Sequence, residues 1–297
     1  MLNILTNAHA FLESDVFIDD NFQKIIDNMV YTNYFDLIST TAIYIQNRNT
    51  ILAFSEWKIH RLGYSIYDDS PLLIVPMPSK ELLFNRLDEW LNTALATEKE
   101  VEQILLKKIA TKEKTNYFNV VFYDLQDTIC SNFDRYLNTN LHYTTEYTCL
   151  ALKSLCEKIG ITVVFDNLSA LNHESFFSFD ENKLFLDNEL ENSNSLYHTL
   201  KHLITFLINQ TTTQNTETQT FENQLVFYIL CRKLSLNLIP TFPVPNQNIN
   251  LIESVKRAFK ICNFVIDNVK IIEQNITPEM QTNYSTSSKS GLKRKES

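Results

Sequence analysis

Glycine is nearly absent from this chain: 297 residues contain three, at Gly63, Gly160 and Gly291. Nucleotide-binding folds bring backbone N–H groups against phosphates through glycines clustered in one loop, as in GxGxxG or GxxxxGK. Here the three glycines are isolated from one another, so no such loop exists and nucleotide-dependent chemistry is not expected. The scarcity also makes each glycine readable as punctuation. Gly63 and Pro71 mark turns, and Gly160 closes a helix.

The rest of the composition describes a folded chain. Apolar residues make up 44% of it, with 20 Phe and 13 Tyr, enough to build cores, and the length suits about two domains. A net charge of -9 argues against a generally basic surface for nucleic acid. Cys130, Cys149, Cys156, Cys231 and Cys262 form no CxxC pair and are expected to act as small buried hydrophobes. The first residues lack a basic segment followed by an apolar run, and no stretch approaches 18 uninterrupted apolar residues. A cytoplasmic protein is the expectation.

Periodicity predicts a helix pair over Asn21 to Gln46, broken around Tyr31 to Tyr34, then strands at Ile51–Phe54 and Leu72–Val75. Leu82–Leu91 and Glu98–Ala110 read as amphipathic helices, and Tyr117–Tyr123 as a buried strand. Further on, Thr144–Lys158 has helical spacing and Ile161–Phe165 is a strand. Ser175–Phe179 with Lys183–Leu186 forms a hairpin, and Asn194-Ser195 caps the helix that follows. Thr211–Thr220 reads as a polar surface loop and Phe221–Leu234 as a buried helix. Three prolines, Pro240, Pro243 and Pro245, separate that helix from a last one over Ile249–Gln274. The fold class is α+β in two domains: a small α+β domain over 1–130, then a zincin-like, helix-rich domain with a short sheet over 131–278. The remainder, 279–297, is a basic tail expected to be disordered.

One helix carries chemistry. Ser195-Leu-Tyr-His198-Thr-Leu-Lys-His202-Leu-Ile-Thr-Phe206 approaches an HExxH motif, in which histidines at i and i+4 hold zinc and the glutamate deprotonates its bound water. With His202 as the first ligand, Leu203 stands where the glutamate belongs and Phe206 where the second histidine belongs. A second register remains open, because His198 and His202 are themselves i and i+4; Glu222 or Glu217 would then be the third ligand, and no base would stand at Thr199.

Four stretches in order resemble the ArdC/LtrC-like antirestriction proteins of mobile elements. They are Phe35–Ser39 with Ala42–Gln46; Ala53–Trp57 with Leu62-Gly63-Tyr64 and Leu73–Pro76; Val121–Thr128; and Leu184–Phe206. The first departs from the family pattern at Asp36 and Ser39. The resemblance implies an N-terminal single-stranded-DNA-binding domain joined to a metallopeptidase-like domain. It also implies a third metal ligand on the next helix, where Glu222 stands and Gln224 replaces a carboxylate. For DNA it points to Tyr44, Arg48, Trp57, Lys58, Arg61 and Tyr64, although Trp57, as a large aromatic, is expected in the core.

These residues lead to two expectations. The first is a non-catalytic, pseudo-metallopeptidase antirestriction protein binding single-stranded DNA or a host defence protein, with no catalytic residue and no cofactor. The second is a zinc-dependent peptidase with an atypical HxxxH site formed by His198, His202 and Glu222.

Overall fold

The computed structural model describes residues 3–14, 20–32, 35–47, 50, 53–129, 143–168, 173–211, 216–238, 240–246 and 248–275. The chain divides into two compact units, Met1–Thr139 and Asn140–Ser297. Arg48, Cys130 and the tail 279–297 lie outside the described residues. Helices and sheets occur in both units, so the fold is α+β as expected.

Unit 1 opens with helices α1 (Ile4–Leu12), α2 (Asp20–Thr32) and α3 (Leu37–Gln46). The predicted break between the last two is present; α1 had no counterpart in the sequence reading. Asp36 caps α3 by accepting the Ser39 N–H at 2.8 Å, and its other oxygen accepts from the Tyr117 hydroxyl at 2.7 Å. Every residue of α3 from Leu37 to Tyr44 is buried. Its hydroxyls are satisfied at that depth by donating to carbonyls: Thr40 and Thr41 to Asp36 and Leu37 one turn back, and Ser39 to Pro76.

Next come β1 (Ala53–Phe54), α4 (Glu56–Arg61), β2 (Ser65–Ile66), β3 (Leu73–Arg86), β4 (Glu89–Asn92), α5 (Glu98–Leu105), β5 (Thr111–Asp124) and β6 (Thr128–Ile129). One sheet has the order β1-β5-β3-β4, and β2 pairs with β6. The long antiparallel ladder of β3 with β5 runs from Leu73↔Phe122 to Phe84↔Thr111. At its inner end Phe35, Ile43, Ala53, Leu73 and Val75 form a core, with Phe122 edge-on to Phe35.

The helix expected over Leu82–Leu91 is absent. That segment is the end of β3, a two-residue turn and β4, with Arg86 paired to Glu89. Its leucines fit either period, and the ladder partners that decide between them, Thr111 and Lys112, lie far along the chain. Both turn residues, Leu87 and Asp88, have positive φ of 51° and 69°, the conformation that matches the strand twist but favours Asn-Gly. Helix α5 stops at Leu105 rather than Ala110; Thr97 and Glu100 form a reciprocal capping box at its start.

Unit 2 contains α6 (Thr145–Lys158), β7 (Thr162–Asp166), β8 (Ser175–Ser178), β9 (Lys183–Asp187), α7 (Asn192–Thr211), α8 (Thr216–Lys233) and α9 (Leu251–Asn275). The sheet order is β7-β9-β8, parallel between β7 and β9 and antiparallel between β9 and β8. Gly160 ends α6 as predicted, at φ +86°, while the N–H groups of Ile161 and Gly160 donate to Cys156 and Glu157. The core is aliphatic, with Leu152, Leu155, Leu200, Leu203, Leu225, Val226 and Ile229 fully buried. Cys149, Cys156, Cys231 and Cys262 are free and buried.

Two boundaries shift. Helix α7 begins at Asn192, so Ser195 is not a cap; its N–H donates to Glu191 inside the first turn and its side chain is buried. Among the described residues of the polar stretch Thr211–Thr220, Thr211 ends α7 and Thr216 opens α8, while 212–215 lie outside the described residues. Threonine-rich composition signals a loop locally, but the buried face of Thr218, Phe221 and Leu225 extends the helix into it. Among the described residues no helix is long and apolar enough to cross a membrane.

Backbone conformation yields a stability prediction. Replacing Leu87-Asp88 by Asn-Gly should raise stability by about 1 kcal/mol, since it relieves left-handed strain. Gly160→Ala should lower stability by a similar ~1 kcal/mol, because the methyl meets open space but φ stays positive. Urea midpoints of the two variants, moving in opposite directions, check both.

Candidate functional site

The spacing of His198 and His202 on α7 puts both imidazoles on one helix face, and strand β8 crosses that face with Ser175 at its first position. Ser175 Oγ lies 2.8 Å from His198 Nδ1 and 3.0 Å from His202 Nε2, between the two rings. The other nitrogen of His198, Nε2, lies 2.8 Å from Glu174 Oε2.

The ring tautomers decide the donors. An ionised carboxylate only accepts, so His198 donates from Nε2, and in its neutral ring Nδ1 then accepts the Ser175 hydroxyl proton. The serine oxygen then accepts from His202 Nε2–H. Four groups form a single row: His202 to Ser175 to His198 to Glu174.

His202 sits in an aromatic setting. Phe177 stacks on it at 6.0 Å and 18°, and Phe206, which replaces the second histidine of the motif, lies 6.0 Å from Phe177. Burial, then the nearby His198 and Lys201, push its pKa down to about 4, so the ring is neutral at neutral pH. Leu203, in the place of the catalytic glutamate, is fully buried.

Glu222 is committed elsewhere. Its side chain is fully buried on α8, and Oε1 accepts from Arg257 Nε at 3.0 Å and from a terminal guanidinium nitrogen at 2.5 Å. Oε2 has no hydrogen-bond partner among the described residues. Gln224 is exposed, and Glu217 accepts from Asn246 at 3.1 Å.

Zinc in the HxxxH register would need unprotonated nitrogens of both rings aimed at one point, with a carboxylate beside them. Here the serine hydroxyl stands at that point, and the intended carboxylate carries a guanidinium. Among the described residues no group of three or more His, Cys, Asp or Glu side chains is arranged to hold a metal. The residues present do not fit the metal. Beside Glu174 opens a cleft of about 500 Å³, lined by His173, Asp187, Glu189, Leu190, Glu191 and Asn194. Asp187, the buried acid there, already accepts the backbone N–H groups of Leu168 and Glu189.

The expected DNA contacts scatter. Tyr44 is 1% exposed, and its hydroxyl donates to Asn21 at 2.6 Å, so its ring belongs to the core. Tyr64 packs against the cluster of Phe54, Ile59 and Leu125, and the Lys58 ammonium lies 3.9 Å from the Phe54 ring centre. Trp57 reverses expectation by being 67% exposed, with the Arg61 guanidinium over its ring at 5.1 Å. Helix α4 is short, and its inward position is taken by Ile59, which turns Trp57 and Arg61 outward together. Of the six candidates, these two form a surface pair.

Ser175, Glu174 and Arg257 were missed in the sequence. Ser175 opens a strand that β9 separates from the histidine helix, Glu174 directly precedes Ser175, and nothing local links Arg257 to Glu222.

No family model matches the chain, and no curated protein does. Solved structures do. The chain is similar to the antirestriction protein ArdC from plasmid R388. Its metal-free crystal structure aligns at TM-score 0.40 and 8% identity, over 86% of this chain and 97% of that one. The Mn(II)-bound crystal structure aligns at TM-score 0.39 and 9% identity, over 86% and 98%.

The buried ion pair and the shielded histidine each yield a prediction. Arg257→Met should cost about 3–5 kcal/mol by leaving Glu222 buried without its cation, and adding Glu222→Gln should restore much of that loss. Denaturation of the single and double variants reads it. For His202, the unfolded ring binds a proton near pH 6.5 but the folded ring only near 4. Stability from this group is therefore full above 6.5 and is lost as pH falls toward 4. An NMR titration should find the ring neutral at pH 5, and His202→Gln should flatten the acid limb.

Proposed function

We propose that this chain is a non-catalytic protein of antirestriction type, acting by binding single-stranded DNA. The observation that carries the loss of chemistry is the state of the motif helix. Leu203 is fully buried in the base position, and Ser175 occupies the point between His198 and His202. Nothing in that arrangement takes a proton from a metal-bound water. The ordered sequence stretches from Phe35 to Phe206 support the antirestriction class, and with it a mobile-element origin and a cytoplasmic setting.

For the ligand, the support is the exposed Trp57 with Arg61 over its ring. An accessible indole stacks on any base, and a cation beside it meets the backbone phosphate. The nucleic-acid-binding domain is the one expected over 1–130, and the pseudo-metallopeptidase domain the one over 131–278. A host defence protein is the other partner in view, and an HxxxH zinc peptidase is the rival activity because His198 and His202 do face one point.

Two measurements separate these. Purified protein should carry far less than one zinc per chain; stoichiometric zinc that disappears in His198→Ala would restore the peptidase. A labelled single-stranded oligonucleotide should bind in a salt-sensitive way, and Trp57→Ala should weaken it roughly tenfold, the scale of one stacked base. Salt-insensitive or absent binding would favour the protein partner.

A further inference from the structure

We infer that the outer end of the β3–β5 ladder, with β4 and the last turn of α5, is a second docking surface for single-stranded nucleic acid, with Trp90 as the stacking platform and Lys107, Lys108, Lys112 and Lys114 as phosphate contacts. It rests on the reading that nucleic acid is the ligand, and it is separate from the Trp57–Arg61 pair.

Charge is the first observation. The chain as a whole is acidic at -9, yet the stretch 107–114 contains four lysines and one glutamate, Glu113. That glutamate is engaged by Lys80 at 3.3 Å. Among the described residues no ion pair neutralises Lys107, Lys108, Lys112 or Lys114, and all four are exposed. A local excess of this kind binds phosphate in a chain whose average charge repels it.

Register brings the charge to an aromatic. Trp90 pairs with Asn85, whose N–H donates to Ala110 at 3.0 Å, so Trp90 and the start of β5 share one row of the sheet. Lys112 pairs with Leu83, which also pairs with Asn92, so Lys112 shares a sheet face with Trp90 and Asn92. The contact is made: Lys112 Nζ is 4.1 Å from the Trp90 ring centre, and the indole remains 39% exposed. Lys114 follows on the same face two residues on. Lys107 and Lys108 close α5, where N–H groups of both donate back to Ile104 and Gln103 and Lys107 takes a positive φ of 54°.

An accessible indole with an ammonium against it, followed by further cations along a strand, suits a chain of stacked bases and regularly spaced phosphates. A protein partner would place uncompensated charge in an interface centre, where charge is depleted.

The test uses the full chain, fluorescein-labelled oligo-dT and anisotropy across a salt series, with far-UV circular dichroism and thermal melts confirming that each variant folds. Trp90→Ala should weaken binding roughly tenfold, and Trp90→Phe should retain most of it. Neutralising Lys107, Lys108 and Lys112 together should lower the slope of log K against log salt by about 2, at about 0.7 per phosphate. If the arm variants bind as the unaltered chain does while Trp57→Ala does not, the arm is overturned and the functional reading stands. If the unaltered chain binds no oligonucleotide, both fall. Capture of a protein by the unaltered chain but not by the arm variants, without oligonucleotide binding, assigns the surface to protein docking instead.

Discussion

Unit 1 depends on the pairing of two fourteen-residue strands, β3 and β5. At one end the ladder lies under α3 and carries the Leu73–Val75 part of the core; at the other, where Leu83 and Phe84 are buried, it pairs with β4. That end has fasteners of its own. Arg86 supplies one, donating to both oxygens of Glu100 at 2.7 and 2.6 Å and so holding α5 against the strand. The Arg86 guanidinium first, and then the Thr97 contacts through which the same carboxylate caps α5, hold its pKa down near 2 and keep it ionised across the physiological range. Together these contacts make the arm a defined shape rather than a loose hairpin.

Unit 2 has a different logic. Its motif helix, α7, is packed on its Leu196, Leu200 and Leu203 face, so the polar residues His198 and His202 are left to one side, where a short strand covers them. Cavity and chemistry meet at Glu174, which lines the cleft and holds His198. The acidic cleft that Glu174 lines is open, while the two partly buried histidines flank Ser175 and Phe177 stacks on His202.

What could be read in the sequence follows from how local each decision is. Helices such as α3 and α6 were legible because apolar spacing decides them within one stretch, and the structure adds the caps Asp36 and Thr144 beside it. Leu82–Leu91 was not, because its leucines satisfy two periods and the choice rests with residues 111 and 112. The histidine pair was legible from spacing alone, but its partners were not: Glu174 and Ser175 come from another element, and Arg257 from a helix 35 residues beyond Glu222. Exposure of Trp57 was misread since residue type predicts burial only on average, whereas a six-residue helix has few inward positions to give.

With both rings neutral, the row from His202 to Glu174 runs one way, and its direction is set at the outer end. Glu174 is 65% exposed at its side chain, whereas Phe177 stacks on the ring at the far end. A solvent-facing carboxylate thus dictates, through two intervening groups, which nitrogen of an enclosed imidazole carries hydrogen. An amide at that surface position could offer a proton to His198 instead of demanding one, which would invert the whole row and turn the His202 lone pair toward the serine. The tautomer of the inner ring is in this sense written on the surface, in a residue that touches His198 and not His202.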